Sequence, residues 1–279
     1  MKARLVPTSC AAALFLAVAA NLAMAQDLGR VSPEEGATVR LIASGPQRDA
    51  VVAAAVEIRL QPGWKTYWTN PGPVGFVPRF DWSASENLAS AEVLWPAPRR
   101  FDEGGSQSIG YSASVLLPVR VVAKDPAAPV RLNLSFDYGA CADLCVPSHA
   151  DVALQMPAKA PDALTAARVS GFSARVPVPT ETGGGADLAL VSATRTAPDL
   201  LEVTVRTPEA AQMVDLLPQT PADLVAGLPI LVKTGPDGTR IYHLKLRPRS
   251  APAVLHLVAV ADARAISVPV SLDAGVPSP

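Results

Sequence analysis

Val130-Arg131-Leu132-Asn133-Leu134-Ser135-Phe136-Asp137 alternates apolar and polar side chains without a break. A period of two puts every second residue on one face, so the segment reads as a half-buried β-strand. Outward from it, short runs of the same kind recur: Val52 to Leu60, Val115 to Val122, Leu200 to Arg206, Arg240 to Leu246 and Ala253 to Val260. Turn residues separate them, as in Gln61-Pro62-Gly63, Pro71-Gly72-Pro73 and Pro236-Asp237-Gly238. With 28 prolines in 279 residues and little helical periodicity, the chain points to antiparallel sandwiches rather than βαβ units. One stretch differs. Asp162-Ala163-Leu164-Thr165-Ala166-Ala167-Arg168 is Ala-rich and follows Pro161, which suits a short helix. Pro177-Val178-Pro179 and Gly183-Gly184-Gly185 come next and read as a connector. The expectation is an all-β chain of two immunoglobulin-like sandwiches, residues 26–157 and 186–279, joined by a short, partly helical linker over 158–185.

The N-terminus has the pattern of a cleaved signal peptide over residues 1–25. Lys2 and Arg4 precede an apolar run from about Cys10 to Ala20, and Ala23-Met24-Ala25 is an A-x-A site that leaves Gln26 first. That run is short for a membrane span, and no later stretch approaches the ~18 apolar residues a span needs. The mature chain is therefore expected in the periplasm, with no membrane insertion. Without Lys2 and Arg4 the 24 basic residues become 22, against 25 acidic ones. There is no basic stripe, so nucleic acid is not an expected partner. Cys10 leaves with the signal peptide. Of the three cysteines, Cys141 and Cys145 remain, four positions apart in an oxidising compartment.

The pair lies in Asp137-Tyr138-Gly139-Ala140-Cys141-Ala142-Asp143-Leu144-Cys145-Val146-Pro147, where Gly139 reads as a turn that presents the cysteines at a strand end. Three chemistries compete. Closing so short a loop removes little unfolded-state entropy, roughly 2 kcal/mol against about 4.7 for a 100-residue loop. A structural staple would gain more by joining distant strands. Short, turn-borne pairs are more reducible, which suits thiol–disulfide exchange. The third chemistry is metal binding. Cys141, Cys145 and His149 form C-x-x-x-C-x-x-x-H, a donor set for Cu(I) or Zn(II) and a candidate copper-tolerance site. A dinuclear copper loop does not fit, because Met156 is seven residues beyond His149, and His243 and His256 lie downstream.

Further motifs surround the pair. In order they are Gly63-Trp64-Lys65-Thr66-Tyr67-Trp68-Thr69-Asn70-Pro71-Gly72, Phe80-Asp81-Trp82, Val93-Leu94-Trp95-Pro96-Ala97-Pro98, Arg100-Phe101-Asp102-Glu103-Gly104-Gly105 and Ser108-Ile109-Gly110-Tyr111. Together with the cysteine segment they cover about residues 36 to 157. This region resembles the N-terminal periplasmic domain of the DsbD family of disulfide reductases, and especially the related ScsB proteins. Residues 186 to 275 carry no usable motif.

The resemblance implies an immunoglobulin-like domain that relays electrons as a protein thiol–disulfide oxidoreductase, with Cys141 and Cys145 catalytic and no organic cofactor. It implies two kinds of partner, periplasmic thioredoxin-fold proteins and a membrane electron carrier. Since the chain shows no membrane or thioredoxin-like segment, that carrier is expected to be a separate protein. It also implies a cap loop over the cysteines, by position Phe101, Asp102, Glu103 and Gly104, with Phe101 as the apolar cover. Tyr67, Trp68, Tyr138 and Asp143 are the expected surroundings. No Lys or Arg lies within five residues of either cysteine, and Asp137 and Asp143 are expected to raise the thiol pKa values by like-charge repulsion. Cys141 is expected to be the more exposed sulfur and the attacking one.

Overall fold

A computed structural model describes residues 32–34, 36–43, 51–103, 105–156, 161–220, 226–247 and 253–272. The expected signal segment, residues 1–25, lies outside them. The N-terminal strands are β1 (Ser32–Glu34), β2 (Ala37–Ala43), β3 (Val51–Leu60), β4 (Lys65–Tyr67), β5 (Arg79–Asp81), β6 (Leu88–Val93), β7 (Arg99–Glu103), β8 (Ser106–Ser112), β9 (Ser114–Ala123), β10 (Val130–Cys141) and β11 (Cys145–Met156). Helix α1 (Ala163–Ser173) follows. The remaining strands are β12 (Val178–Pro179), β13 (Ala189–Ala197), β14 (Leu200–Arg206), β15 (Val214–Gln219), β16 (Ile230–Thr234), β17 (Thr239–Lys245), β18 (Ala253–Ala261) and β19 (Arg264–Leu272). The chain is thus almost entirely β, in two successive immunoglobulin-like sandwiches, as its alternation implies.

The first sandwich packs a sheet of order β1-β2-β3-β9-β6 on one of order β11-β10-β4-β8-β7, with β5 added to β10. Its sheets are antiparallel, and the inward residues follow the period of two. Along β2 every second residue from Ala37 to Ala43 is buried, and along β10 the core-facing set is Val130, Leu132, Leu134, Phe136, Tyr138 and Ala140. They meet Val56, Ile58, Val115, Leu117 and Val119 of the facing sheet. Each such side chain contributes roughly 1.5–3 kcal/mol by leaving water.

Helix α1 forms where the Ala-rich stretch predicts it. Asp162 is the N-cap, and its carboxylate accepts from the Thr165 backbone N–H at 2.9 Å. The helix lies against the outer face of the first sheet, where Val169 and Phe172 cover Ala55 and Leu116. Glu57 on that face is 0 % exposed and is paired with Arg40 and Arg59 from the sheet and with Arg168 from the helix, the last at 2.7 Å. Burial alone pushes the Glu57 carboxyl up, but the three guanidinium groups outweigh it and hold the group below its ordinary value.

The second sandwich packs a sheet of order β12-β19-β18-β15 on one of order β13-β14-β17-β16. Leu255, Leu257, Ala259 and Ala261 of β18 face its own core. Val258 and Val260 face the other way and belong to the core of the first sandwich, together with Leu217 of β15 and Ala265 of β19. This sheet is apolar on both sides, which explains why β18 reads as a nearly continuous apolar run.

Candidate functional site

Cys141 ends β10 and Cys145 begins β11, and the two are directly opposite in the antiparallel register. Ala142, Asp143 and Leu144 close the hairpin between them. The cysteines form a disulfide with Cα atoms 4.1 Å apart. Cys141 is 1 % exposed, whereas Cys145 and the three turn residues are exposed. The expected order of exposure is reversed. Cys141 lies in β10 between β11 and β4, while Cys145 starts the edge strand of the sheet. The expected turn at Gly139 is also absent. β10 runs straight through to Cys141, and Gly139 serves another purpose.

That purpose is the placement of Tyr67. In β10, Phe136, Tyr138 and Ala140 point into the core, so Asp137, Gly139 and Cys141 share the outer face. β4 lies alongside, with Lys65 opposite Cys141 and Thr66 opposite Ala140. Lys65 and Tyr67 therefore share the outer face with the cysteine. A Cβ at Gly139 would fall 2.9 Å from the Tyr67 ring and 2.8 Å from the Phe76 Cβ, so only glycine lets the ring lie flat against β10. The Thr66 hydroxyl donates to the Gly139 carbonyl at 2.9 Å and fastens the two strands there. The Tyr67 hydroxyl thereby reaches both sulfurs, 2.8 Å from Cys141 Sγ and 3.0 Å from Cys145 Sγ. Disulfide sulfurs carry no proton, so the phenol is the donor. Tyr67 itself is 2 % exposed.

Of the expected surroundings, Tyr67 touches the sulfurs. Trp68 and Tyr138 are corrected to core residues, because each sits one position out of phase with the outer face. Tyr138 stacks on Phe136 with centroids 4.9 Å apart, and Phe136 lies 4.4 Å from Phe80. Asp143 stays in the exposed turn. Asp137 is engaged elsewhere, with its Oδ1 2.7 Å from His149 Nδ1. Lys65, remote in sequence, is the cation opposite Cys141, so distance along the chain misjudged the local charge.

The Phe101-Asp102-Glu103 stretch is a strand rather than a loop. β7 pairs with β8, Phe101 opposite Ser108 and Asp102 opposite Gln107. Polar residues are tolerated there because β7 is a sheet edge. Gly104 lies outside the described residues, and Gly105 beyond it has φ 93°. Ile109 and Tyr111 of β8 face the core, so Ser108 and Phe101 lie on the outer face, on the side of Lys65, Tyr67 and Cys141. Phe101 is half-buried, and the Lys65 ammonium stands 5.3 Å from its ring centroid.

His149 is not brought to the sulfurs. It lies four positions along β11 from Cys145, about 13 Å at the rise of an extended strand. It faces Asp137 and, at 3.2 Å from Nε2, Asp151. The Asp137 hydrogen bond leads in raising the His149 pKa, with Asp151 adding to it. The three-ligand Cys141–Cys145–His149 site is thereby corrected, since the imidazole points into a carboxylate pair. Among the described residues no group of three or more His, Cys, Asp and Glu side chains is placed to hold a metal ion.

Comparison with known proteins fits this geometry. No curated protein sequence matches the chain significantly. The N-terminal periplasmic domain of ScsB from Proteus mirabilis superposes with a TM-score of 0.65 at 22 % identity, over 90 % of this chain and 95 % of that one, a likeness of fold. The reduced N-terminal domain of DsbD from Neisseria meningitidis gives a TM-score of 0.28 at 18 % identity, over 46 % of this chain and 90 % of that one. Residues 32–157 match the family described as thiol:disulfide interchange protein DsbD, N-terminal. The stretch that carries the cysteine hairpin, Tyr67 and the β7–β8 hairpin is thus the part of the chain that matches the DsbD N-terminal family of thiol:disulfide interchange proteins.

Proposed function

We propose that this protein exchanges disulfides with protein partners in the periplasm, as a protein thiol–disulfide oxidoreductase whose redox centre is Cys141–Cys145. The observation that carries the reading is the asymmetry of the pair, with Cys145 exposed, Cys141 buried, and one phenol donating to both sulfurs. A reduced partner's thiolate attacks Cys145 Sγ, the accessible sulfur. The S–S bond breaks and its electron pair leaves on Cys141 as a thiolate, which receives the Tyr67 hydrogen bond. The partner's second thiolate then attacks its own sulfur in the mixed disulfide and releases Cys145. The partner leaves oxidised, and this chain holds two electrons and, after protonation, two thiols. The reverse sequence passes them on, with Cys145 attacking and Cys141 resolving.

The reading includes export by the signal peptide of residues 1–25. Residues 26–157 act as the redox domain, 158–185 as the linker and 186–279 as the second domain. It also includes thioredoxin-fold partners on one side and a separate membrane electron carrier on the other. The exposed Cys145 and its three-residue turn support docking by a partner that presents its own cysteine at a surface. No helix among the described residues is long and apolar enough to cross a membrane.

The test is the reduction potential, measured by equilibrating the mature protein in glutathione and dithiothreitol buffers and counting free thiols. An exchange centre equilibrates above the range below about −300 mV that structural disulfides occupy. A pair that stays oxidised throughout is a staple, and the proposal fails.

A further inference from the structure

The exchange reading leaves unassigned a cleft of about 1290 Å³ where the two sandwiches meet. Pro71, Gly72 and Val77 line it from the first sandwich, and Leu228, Ile230 and Lys245 from the second. The two sandwiches are tied together nearby. The Arg100 guanidinium of β7 forks onto Asp215 of β15, with Nε 3.0 Å from Oδ2 and Nη2 2.7 Å from Oδ1. Asn70, itself on the lining, donates from Nδ2 to the Pro218 carbonyl at 2.7 Å. The cleft is therefore built before any ligand arrives, which lowers the cost of filling it. It exceeds the roughly 300–1,000 Å³ of small-molecule sites and suits a stretch of polypeptide.

β16 runs on from Ile230 along the edge of its sheet. All five of its residues are exposed, with Ile230 at 62 %, Leu231 at 47 % and Val232 at 48 %. Among the described residues no strand pairs with its outer side. An apolar strand with a free edge is a template for one more strand. The charge beside it is one-sided. Lys245 and Arg247 line the cleft with one acid, Asp199, and Lys233 stands on β16. The three cations are exposed, and none is ion-paired among the described residues. A second copy pairing through β16 alone gains little. Five extended residues span about 17 Å, and a ladder of that length falls far short of the ~800 Å² per partner of a stable complex. An extended segment adds the same strand and fills the cleft as well.

The loop of residues 69–77, which lines the cleft, also supports the redox phenol. A Cβ at Gly75 would collide with Pro71 and lie 2.9 Å from Tyr67 Cδ1, so the loop backbone rests against one edge of the ring, as Gly139 does against the other. The hydroxyl of that ring reaches both sulfurs. One loop thus joins the cleft to the cysteine pair. We propose that the cleft and β16 bind an extended segment of the exchange partner, rich in apolar and acidic side chains, while that partner's cysteine meets Cys145. The inference rests on the exchange reading and makes the second sandwich its recognition module. The segment pairs with β16, its apolar side chains lie against Leu228, Ile230 and Val77, and its carboxylates meet Lys233, Lys245 and Arg247.

The test uses synthetic peptides of alternating valine and glutamate, with a cysteine joined at either end through a spacer of about ten Gly and Ser residues, which reaches roughly 16–19 Å. One peptide thiolate attacks Cys145 of the oxidised full chain and a second resolves the mixed disulfide, so two peptides leave joined and the chain gains two electrons. The better-placed Val–Glu peptide should reduce the pair about tenfold faster than its Val–Lys counterpart, through the raised local thiol concentration. Ile230→Glu, and Lys245→Glu combined with Arg247→Glu, should each cut the ratio of its rate to that of glutathione by about tenfold. All three positions are exposed, so these variants keep the fold. A Val–Lys peptide as fast as Val–Glu, or a ratio that no variant moves, overturns the inference and leaves the exchange reading standing. So does sedimentation of the wild type as a dimer that Ile230→Glu dissociates, because β16 then belongs to a second copy. A disulfide that neither the peptides, glutathione nor dithiothreitol reduces overturns the exchange reading, and the inference with it.

Discussion

The two faces of the sheet β11-β10-β4-β8-β7 are built from residues that alternate along the same strands, yet they do different work. The inner face presents Trp68, Ile109, Phe136, Tyr138 and Ala140 to the sandwich core, and its currency is contact area. The outer face presents Lys65, Tyr67, Gly139, Cys141 and Phe101, and it offers a donor, a cation, a ring and a pair of sulfurs. Each set is one residue out of register with the other. The difference teaches that in this fold a role is assigned by parity along a strand, not by residue type or proximity in sequence. Adjacent aromatics such as Tyr67 and Trp68 accordingly have separate fates.

That contrast can be broken most forcefully on the inner side. Trp68→Ala should cost about 3–5 kcal/mol of folding stability, the usual cost of emptying a large buried site, and leave the reduction potential of the pair where it was. Urea unfolding followed by a thiol titration of the folded variant reads both numbers. A shifted potential with intact stability would place Trp68 in the redox site and undo the parity argument.

A smaller effect of the opposite kind is expected one residue earlier. Tyr67→Phe removes the phenol but keeps the ring. The reduced form loses a charge-assisted hydrogen bond to the Cys141 thiolate, a differential effect of about 1 kcal/mol, or about 20 mV toward more negative potential. The melting temperature should move little. Redox titration of the variant against wild type checks this, and an unchanged potential would show that the hydroxyl does nothing for the leaving sulfur.

The smallest effect concerns His149, on the outer face but away from the sulfurs. Its folded pKa is raised by Asp137 and Asp151, so its stabilising contribution is complete below its unfolded value near 6.5 and is lost as pH rises through the raised folded value. The ring is 50 % exposed, and solvent screening keeps the contribution to about 0.3 kcal/mol. Unfolding curves across that pH window should converge on those of His149→Gln at the alkaline end. A change in the pair's potential in this variant would tie the imidazole to the cysteines after all.

The sequence was legible where a signal is periodic. The alternation of Val130 to Asp137 and the repeated short runs specify strands, and strands of that length in that number make sandwiches. The cysteines were legible because only two remain in the expected mature chain. Less legible were the residues that meet across strands. Lys65 stands opposite Cys141 through pairing that joins positions 76 apart, and no local pattern announces such a register. Tyr67 could not be told from Trp68 because β4 is three residues long, too short for alternation to show its phase. Phe101-Asp102-Glu103 looked like a loop because polarity resembles exposure, and an edge strand is exposed too. Gly139 looked like a turn because a glycine needed for close approach and one needed for a bend are spelled the same way. Arg100 stands in a motif, but its partner Asp215 belongs to the other sandwich and nothing in the motif points to it.

Val258 and Val260 lie in the core of the first sandwich although they belong to the second. Neither sandwich can therefore be cut away cleanly. A fragment ending near residue 157 would bare the apolar surface that these valines, Leu217 and Ala265 now cover, and the released second sandwich would expose its own matching patch to water. The natural unit of unfolding is then the pair. Heating should melt both sandwiches in one cooperative transition, and a destabilised core on either side should lower the temperature at which the other lets go.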